Sequence, residues 1–422
     1  MSDITFADVV HQSISFSPND KAEKLILDLL DTQWFQRLRD ISQTANTRLV
    51  YMFSEHSRFG HCLGVAYLAK LVLNCLARRH PQDVEKHRTA IMVAALLHDI
   101  GHLAPGSHTA FKTWFPGQPD SHEALAEIVI KQDPEISALL RAYSPQLSDD
   151  VLAILDESDS IDPWAWQIIS GGGWNVDRGN WSTVDSVLAG VSYGKYNVPA
   201  LVDSIVITHD KHLALMENRL DAMMHFVVSR HAMYRQIYQH RVLLAADMIN
   251  KSIVQRARDL GSSICFADET MQCALAAQSV SSLTPQAIFN MRESWWRYHI
   301  SRWANGTDSI LADLSRRLLN RRLFKTVRIE TPASKEQLLH SAEEALRKLS
   351  LDPTYYLHEV STADVHAGDS KQSMLVQLDD GSVITLAQAD PLFQAMAIDS
   401  RLSKKTWIAL PQEAKRLLGY SR

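Results

Sequence analysis

The chain of 422 residues is 46% hydrophobic and 22% charged, an ordinary globular composition with length for two to three domains. Its formal net charge of −5 gives no global basic footprint, so a small molecule is the default partner; nucleic acid stays open but is not indicated. Four cysteines without CxxC spacing, no basic or apolar leader and no apolar run near bilayer length predict a reduced cytoplasmic protein with no membrane partner.

Alternating polar and apolar residues over 3–18 predict a strand or hairpin. A helix over 21–30 follows, with Leu25, Ile26, Leu29 and Leu30 as its apolar stripe. A second helix after Thr32 should carry Trp34, Phe35, Leu38 and Ile41 and end near Gln43 to Asn46. Helices at 60–79, 86–101, 121–132, 135–142 and 148–155, joined by short polar breaks, imply an all-helical core. The loop over 103–120, rich in proline and glycine and holding His108, is expected to be shaped over a site, an ordinary surface excursion being the alternative.

A long helix over 225–249 places Arg230, Tyr234 and Tyr238 on overlapping faces, and helical character continues to about residue 280 with a break at Gly261-Ser262. Strands are then expected at 323–330, 355–361, 373–378 and 406–410, with helices at 335–349 and 391–398. Asp379-Asp380-Gly381-Ser382 is a hairpin turn signal. The expected fold is mainly α: a helical core over 1–255, then a helical linker and a smaller α+β subdomain, ferredoxin-like in outline, over 256–422.

The chemistry gathers where the apolar run Ile91 to Leu97 ends in His98-Asp99-Ile100-Gly101-His102. A buried helix that delivers an imidazole and a carboxylate side by side offers two metal ligands, and burying that pair without a counter-charge is costly. Gly101 suits a helix stop. The plain alternative is a helix-end histidine satisfied by its neighbouring carboxylate. Upstream lies His56-Ser57-Arg58-Phe59-Gly60-His61; downstream lie His108, His122-Glu123 and Trp174-Asn175-Val176-Asp177-Arg178. From Asp177, the residues Asn180, Trp181 and Asp185 recur at helical spacing and share its face.

Together with Phe35-Gln36-Arg37-Leu38-Arg39, Gln43 and Tyr238-Gln239-His240-Arg241, these blocks resemble the HD-domain phosphohydrolases over roughly residues 20 to 250. The likeness is greatest to the deoxynucleoside triphosphate triphosphohydrolases, which include bacterial dNTPases and dGTPases and the animal enzyme that joins a sterile alpha motif to an HD domain. The resemblance implies a divalent metal (Mn, Fe, Mg or Zn) on His61, His98, Asp99 and Asp177, with Asp99 also orienting the attacking water. It implies phosphate contacts from Arg58, Arg178 and Arg230, His108 as general acid, His102 as transition-state contact, and His122 with Glu123 holding His108. Gln43 and Asp185 match positions facing the 3′-hydroxyl. Trp181 stands where the family has a tyrosine and Thr44 where it has a leucine beside the 2′ carbon, while Tyr234 and Tyr238 either complete this wall or pack the core.

The implied activity is metal-dependent hydrolysis of a deoxynucleoside triphosphate to deoxynucleoside and tripolyphosphate by a homodimer or homotetramer. Its alternatives are another HD-type phosphatase or phosphodiesterase and a nucleotide-sensing regulatory protein. The chain lacks the Gly-Tyr-Pro signature of cyclic-dinucleotide esterases and the Glu-Asp pair of alarmone hydrolases.

Overall fold

The computed structural model describes residues 2–106, 110–118, 122–362, 374–394 and 404–420. The predicted hairpin is present as β1 (Ile4–Asp8) and β2 (Gln12–Phe16), antiparallel with Ile4 opposite Phe16. Helix α1 (Lys21–Leu30) starts where expected because the Asp20 side chain accepts the Glu23 N–H. Helix α2 (Gln33–Arg37) is shorter than predicted, tightening into a 3₁₀ turn over Leu38–Asp40. Its continuation loses to a sheet-like pairing: Ile41 O accepts the Arg58 N–H at 2.9 Å, Gln43 N–H donates to His56 O at 3.0 Å, and Ser42 bridges Ser57.

At the centre lie α3 (Arg58–Leu76) and α4 (Pro81–Leu97), packed on each other. Helix α3 is long and apolar enough to cross a bilayer, with mean hydropathy 1.4, but 72% of that stretch is buried inside the protein. Its neighbours β2, α4, α10, α11 and β3 surround it, so it is apolar all round rather than on one stripe. Around this pair run α5 (Ala110–Trp114), α6 (His122–Gln132), α7 (Pro134–Tyr143), α8 (Leu147–Leu155), α9 (Pro163–Ser170), α10 (Val176–Leu188) and α11 (Val198–Asp203). Two short strands escaped prediction, β3 (Ile205–Ile207) and β4 (Leu213–Met216). Buried on both faces, they carry no alternation for a pattern to detect.

The helix expected over 225–249 is two helices. After α12 (Leu220–Met233), a π turn at Tyr234–Tyr238 widens the backbone, and α13 (Arg241–Leu260) starts afresh from His240, whose ring accepts the Val242 N–H. The break predicted at Gly261 is real, with φ +52. Then follow α14 (Glu269–Ala276), α15 (Pro285–Asn290), α16 (Glu293–Trp303) and α17 (Ser309–Leu319).

The remaining elements are β5 (Lys325–Arg328), α18 (Pro332–Lys348), α19 (Pro353–Tyr356), β6 (His358–Ser361), β7 (Leu375–Gln377), β8 (Val383–Thr385), α20 (Leu386–Ala389), β9 (Thr406–Leu410) and α21 (Gln412–Leu417). Strand β9 lies between β5 and β6 in an antiparallel sheet, whereas β7 pairs parallel to β4 and antiparallel to β8. Among the described residues the C-terminal strands do not form one ferredoxin-like sheet, since β7 and β8 join β3 and β4 from the other side of residue 255. The predicted turn at 379–382 closes β7 onto β8, with Gly381 at φ +86. The predicted helix over 391–398 runs into residues outside those described. The fold is mainly α: an all-helical HD region with a smaller α+β part at the C-terminal side.

Candidate functional site

Helix α4 stops at Leu97, and a turn closed by Ile100 N–H to Leu97 O (3.0 Å) and His102 N–H to Asp99 O (3.2 Å) presents the next side chains inward. Gly101 therefore lies beyond the helix stop and serves a close approach instead. A Cβ there would sit 2.2 Å from His122 O, so glycine lets the start of α6 press against this turn. That approach sets the His102 and His122 rings 4.2 Å apart.

His61, one turn into α3, faces the same point. Its Nε2 lies 3.0 Å from Asp177 Oδ1 and 3.6 Å from Asp99 Oδ2; His98 Nε2 lies 3.6 Å from each of those oxygens. The outer nitrogens are occupied, His61 Nδ1 with Asn180 Oδ1 at 3.0 Å and His98 Nδ1 with Ala95 O at 2.9 Å. Both acceptors are oxygens, which assigns the proton to Nδ1 and leaves each Nε2 lone pair turned inward. Neither Nε2 has a hydrogen-bond partner although both are buried. Two orphaned imidazole nitrogens against two carboxylates fit a divalent cation, and the ligand atoms of His61, His98 and Asp177 lie within 4.8 Å of one another.

The electrostatics agree. Burial disfavours ionised Asp99, but the Arg58 guanidinium and the surrounding imidazoles outweigh it and hold that carboxyl well below its usual range. Burial likewise opposes ionisation of Asp177, and His61 and His98 hold its pKa down. For His98, burial works against the charge, yet Asp99 and Asp177 raise its pKa to about 9: the space between these carboxylates favours a positive charge, either a proton on Nε2 or a cation in its place. His102 is pushed well below its usual value by burial and by the Arg58 cation.

From this end a cleft opens, lined on its metal side by Arg58, Asp99, His102, His122 and Asp177. Gln43, Thr44, Asn46, Trp181, Asp185, Tyr234 and Tyr238 also line it. Arg58 donates through Nη1 to Asp99, and its buried Nε–H has no acceptor. Gln43 Oε1 is likewise buried with no partner. Asp185 accepts from His56 Nε2 at 2.8 Å and from the Tyr238 hydroxyl, and Trp181 meets Tyr234 and Tyr238 edge-to-face.

Of the three expected arginines, Arg58 lines the cleft and the other two stand behind its lining. Arg178 Nη1 donates to Gly171 O at 3.0 Å and Gly173 O at 3.2 Å, and Arg230 lies over the Tyr234 ring at 5.4 Å; neither is among the cleft-lining residues. His108 lies outside the described residues. Sequence reasoning gave no role to His56, which orients Asp185, and took Asn180, which orients His61, only as part of a pocket wall. It passed over Asn46 and Asp247, which are bonded at 2.7 Å in the cleft wall. Asn180 carried a signal, its place on the Asp177 face; Asp247 had none, because it lies beyond the Tyr238-Gln239-His240-Arg241 block and no local spacing ties it to Asn46, 201 residues away.

Residues 58–163 match the HD domain family model, which covers His61, His98, Asp99 and His102 and stops before Asp177. Over 412 residues the chain is 27% identical to the Bacillus subtilis protein YwfO, covering 95% of this chain and 91% of that one. It is 25% identical over 287 residues to the deoxynucleoside triphosphate triphosphohydrolase SAMHD1 of Mus musculus, covering 58% of this chain and 42% of the relative. In fold, it is similar to a crystal structure of a phosphohydrolase from Bacteroides thetaiotaomicron, with TM-score 0.82, 21% identity and coverage of 97% and 100%. The His-Asp turn and the imidazoles of His61, His98 and His102 thus lie in a segment that matches the HD domain family, and the chain is similar in sequence to a deoxynucleoside triphosphate triphosphohydrolase and in fold to a phosphohydrolase.

Proposed function

We propose that the protein hydrolyses deoxynucleoside triphosphates to deoxynucleoside and tripolyphosphate. One observation carries the reading: the two unpartnered Nε2 atoms of His61 and His98 converge on Asp177 at one end of a cleft whose wall holds Gln43, Asp185 and Tyr238. Likeness to SAMHD1, named a deoxynucleoside triphosphate triphosphohydrolase, supports the nucleotide as substrate. His61, His98, Asp99 and Asp177 would hold a divalent cation, which supplies Lewis acidity toward a phosphoryl oxygen and acidifies water.

The chain's own groups do the rest. Arg58, locked to Asp99, keeps that carboxylate ionised and offers its Nε–H to a phosphate oxygen. His102 and His122 form the flank along which the phosphate chain lies. With attack at the α-phosphorus, the leaving atom is the 5′-oxygen, to which His108 delivers a proton. Gln43 Oε1 accepts from the sugar 3′-hydroxyl while Asp185, held by His56 and Tyr238, bounds the other side.

Incubating the metal-supplemented protein with deoxy- and ribonucleotides and resolving the products by chromatography tests this. Tripolyphosphate and deoxynucleoside should appear in one step, with label from ¹⁸O-water in the tripolyphosphate. Orthophosphate or diphosphate as first product sinks the reading.

A further inference from the structure

We infer that Glu293, at the start of α16, is a positioning residue for the cleft, acting through the backbone of Ser42 and Gly106. The inference rests on the hydrolase reading above. Glu293 is 7% exposed, and its Oε1 accepts the Gly106 N–H at 2.5 Å; the Ser42 N–H also donates to this carboxylate. It does not cap its own helix, which begins without a side-chain cap. Burial raises its pKa against the pull of the two N–H groups, Arg297 and Arg48, so the carboxylate is kept inside at a cost.

Each of the two segments it joins carries a cleft-lining residue: Ser42 immediately precedes Gln43, and Gly106 lies four residues after His102. That stretch is anchored to the same segment by Ala104 N–H to Met291 O at 3.1 Å, and Trp114 Nε1 donates to Ala104 O at 2.8 Å. Gly106 sits so close to Ser42 that a Cβ would lie 2.1 Å from Ser42 O. Behind Glu293 the chain is fixed by buried Arg37, which donates to Ile288 O (2.9 Å), Phe289 O (3.0 Å) and Met291 O (3.3 Å). Glu293 is thus a rigidly mounted acceptor that sets the distance between the Gln43 segment and the His102 segment. A misplacement of about 1 Å in a reacting geometry costs on the order of 100-fold in rate.

The test compares wild type, Glu293→Gln and Glu293→Ala in the full chain by steady-state kinetics with dGTP, metal content, melting temperature and hydrogen exchange at the Ser42 and Gly106 amides. In Glu293→Ala both amides should lose protection and kcat should fall about 10- to 100-fold with metal content unchanged. Glu293→Gln retains one acceptor and should recover at least about threefold of that loss, and it stands in for the alanine variant if that one does not fold. Unchanged amide protection, kcat within about threefold of wild type, or a rate loss that only tracks the folded fraction overturns the inference. If wild type turns over no nucleoside triphosphate, the hydrolase reading falls, and the two amide exchange rates still decide whether Glu293 holds these segments.

Discussion

Asn180 holds His61: the Oδ1 of Asn180, on α10, accepts from His61 Nδ1, on α3, across 3.0 Å. The bond fixes the tautomer that leaves the Nε2 lone pair facing Asp177 and Asp99, and it depends on a third residue. Gly64, one turn beyond His61, has no side chain, and a Cβ there would lie 2.4 Å from Asn180 Nδ2. Gly64→Ala should therefore push the Asn180 amide off His61. Loss of such an outer-sphere partner typically costs about 10- to 100-fold in metal affinity, and metal titration of the variant checks it. Affinity equal to wild type in a folded Gly64→Ala protein would show that Asn180 does not orient the ligand.

Removing a charged ligand should act more strongly. Asp177→Asn leaves His61 Nε2 and His98 Nε2 facing a neutral amide in place of the carboxylate 3.0 Å and 3.6 Å away. Metal content after dialysis should fall to a small fraction of wild type and turnover should vanish, while the circular dichroism stays helical. Full occupancy and activity in that variant would remove Asp177 from the ligand set.

The helical frame and the His-Asp turn were legible in the sequence because each rests on local pattern. Apolar spacing marked α1, α3, α4 and α6 to within a few residues, and a His-Asp pair with no spacer at the end of an apolar run has few structural uses. What was not legible depended on distant partners. The end of α2 is set by Ser57 and Arg58, the π turn at Tyr234–Tyr238 has no proline or glycine to announce it, and β7, besides pairing with β8, joins the distant β4. Arg178 and Arg230 fit an expected spacing, yet the bonds that Arg178 makes to Gly171 and Gly173 and the stacking of Arg230 on Tyr234 follow from the folded backbone.

Stability should depend on pH through His358. This ring bonds Ser252 Oγ at 2.7 Å, tying β6 to α13, and burial pushes its pKa down to about 4 from 6.5. Because the folded value is the lower one, the unfolded chain binds the extra proton between these pH values. The stabilisation is complete above pH 6.5 and is lost as pH falls toward 4. At about 1.4 kcal/mol per unit the loss is on the order of 3 kcal/mol. Urea melts at pH 7 and pH 4.5 should give a smaller pH-dependent drop for His358→Gln than for wild type; equal drops would place the titration elsewhere.

Proton delivery to the leaving oxygen separates two histidines. His108→Ala should keep metal and substrate binding and lose about 10² to 10⁴-fold in kcat, the usual worth of a positioned general acid. His122 stands against His102 with its Nδ1 3.3 Å from Glu123 Oε2, so it is the residue to which the role passes if His108→Ala loses less than about threefold. Measuring kcat for His108→Ala and His122→Ala on one substrate makes the assignment.

The sugar is the sharpest test of how the cleft is read. Gln43 Oε1 is buried without a donor, whereas Asp185 already accepts from His56 and Tyr238. A 3′-hydroxyl would therefore matter most to Gln43, and a 2′,3′-dideoxy substrate leaves that oxygen unsatisfied at roughly 1 to 3 kcal/mol, about 5- to 150-fold in kcat/KM. Gln43→Leu should make the 3′-deoxy and 3′-hydroxy substrates nearly equal by lowering the second. On the 2′ side, Thr44 lines the cleft with its hydroxyl only 3.4 Å from Ser54 O, a long bond that a ribose 2′-hydroxyl can replace. Trp181, packed against Tyr234 and Tyr238, also lines the cleft. Discrimination of dGTP from GTP should accordingly be modest in wild type, and Thr44→Leu should increase it by crowding the 2′ position. If wild type already excludes GTP and Thr44→Leu changes nothing, the sugar lies with its 2′ carbon away from Thr44, and the nucleotide runs through the cleft in another orientation.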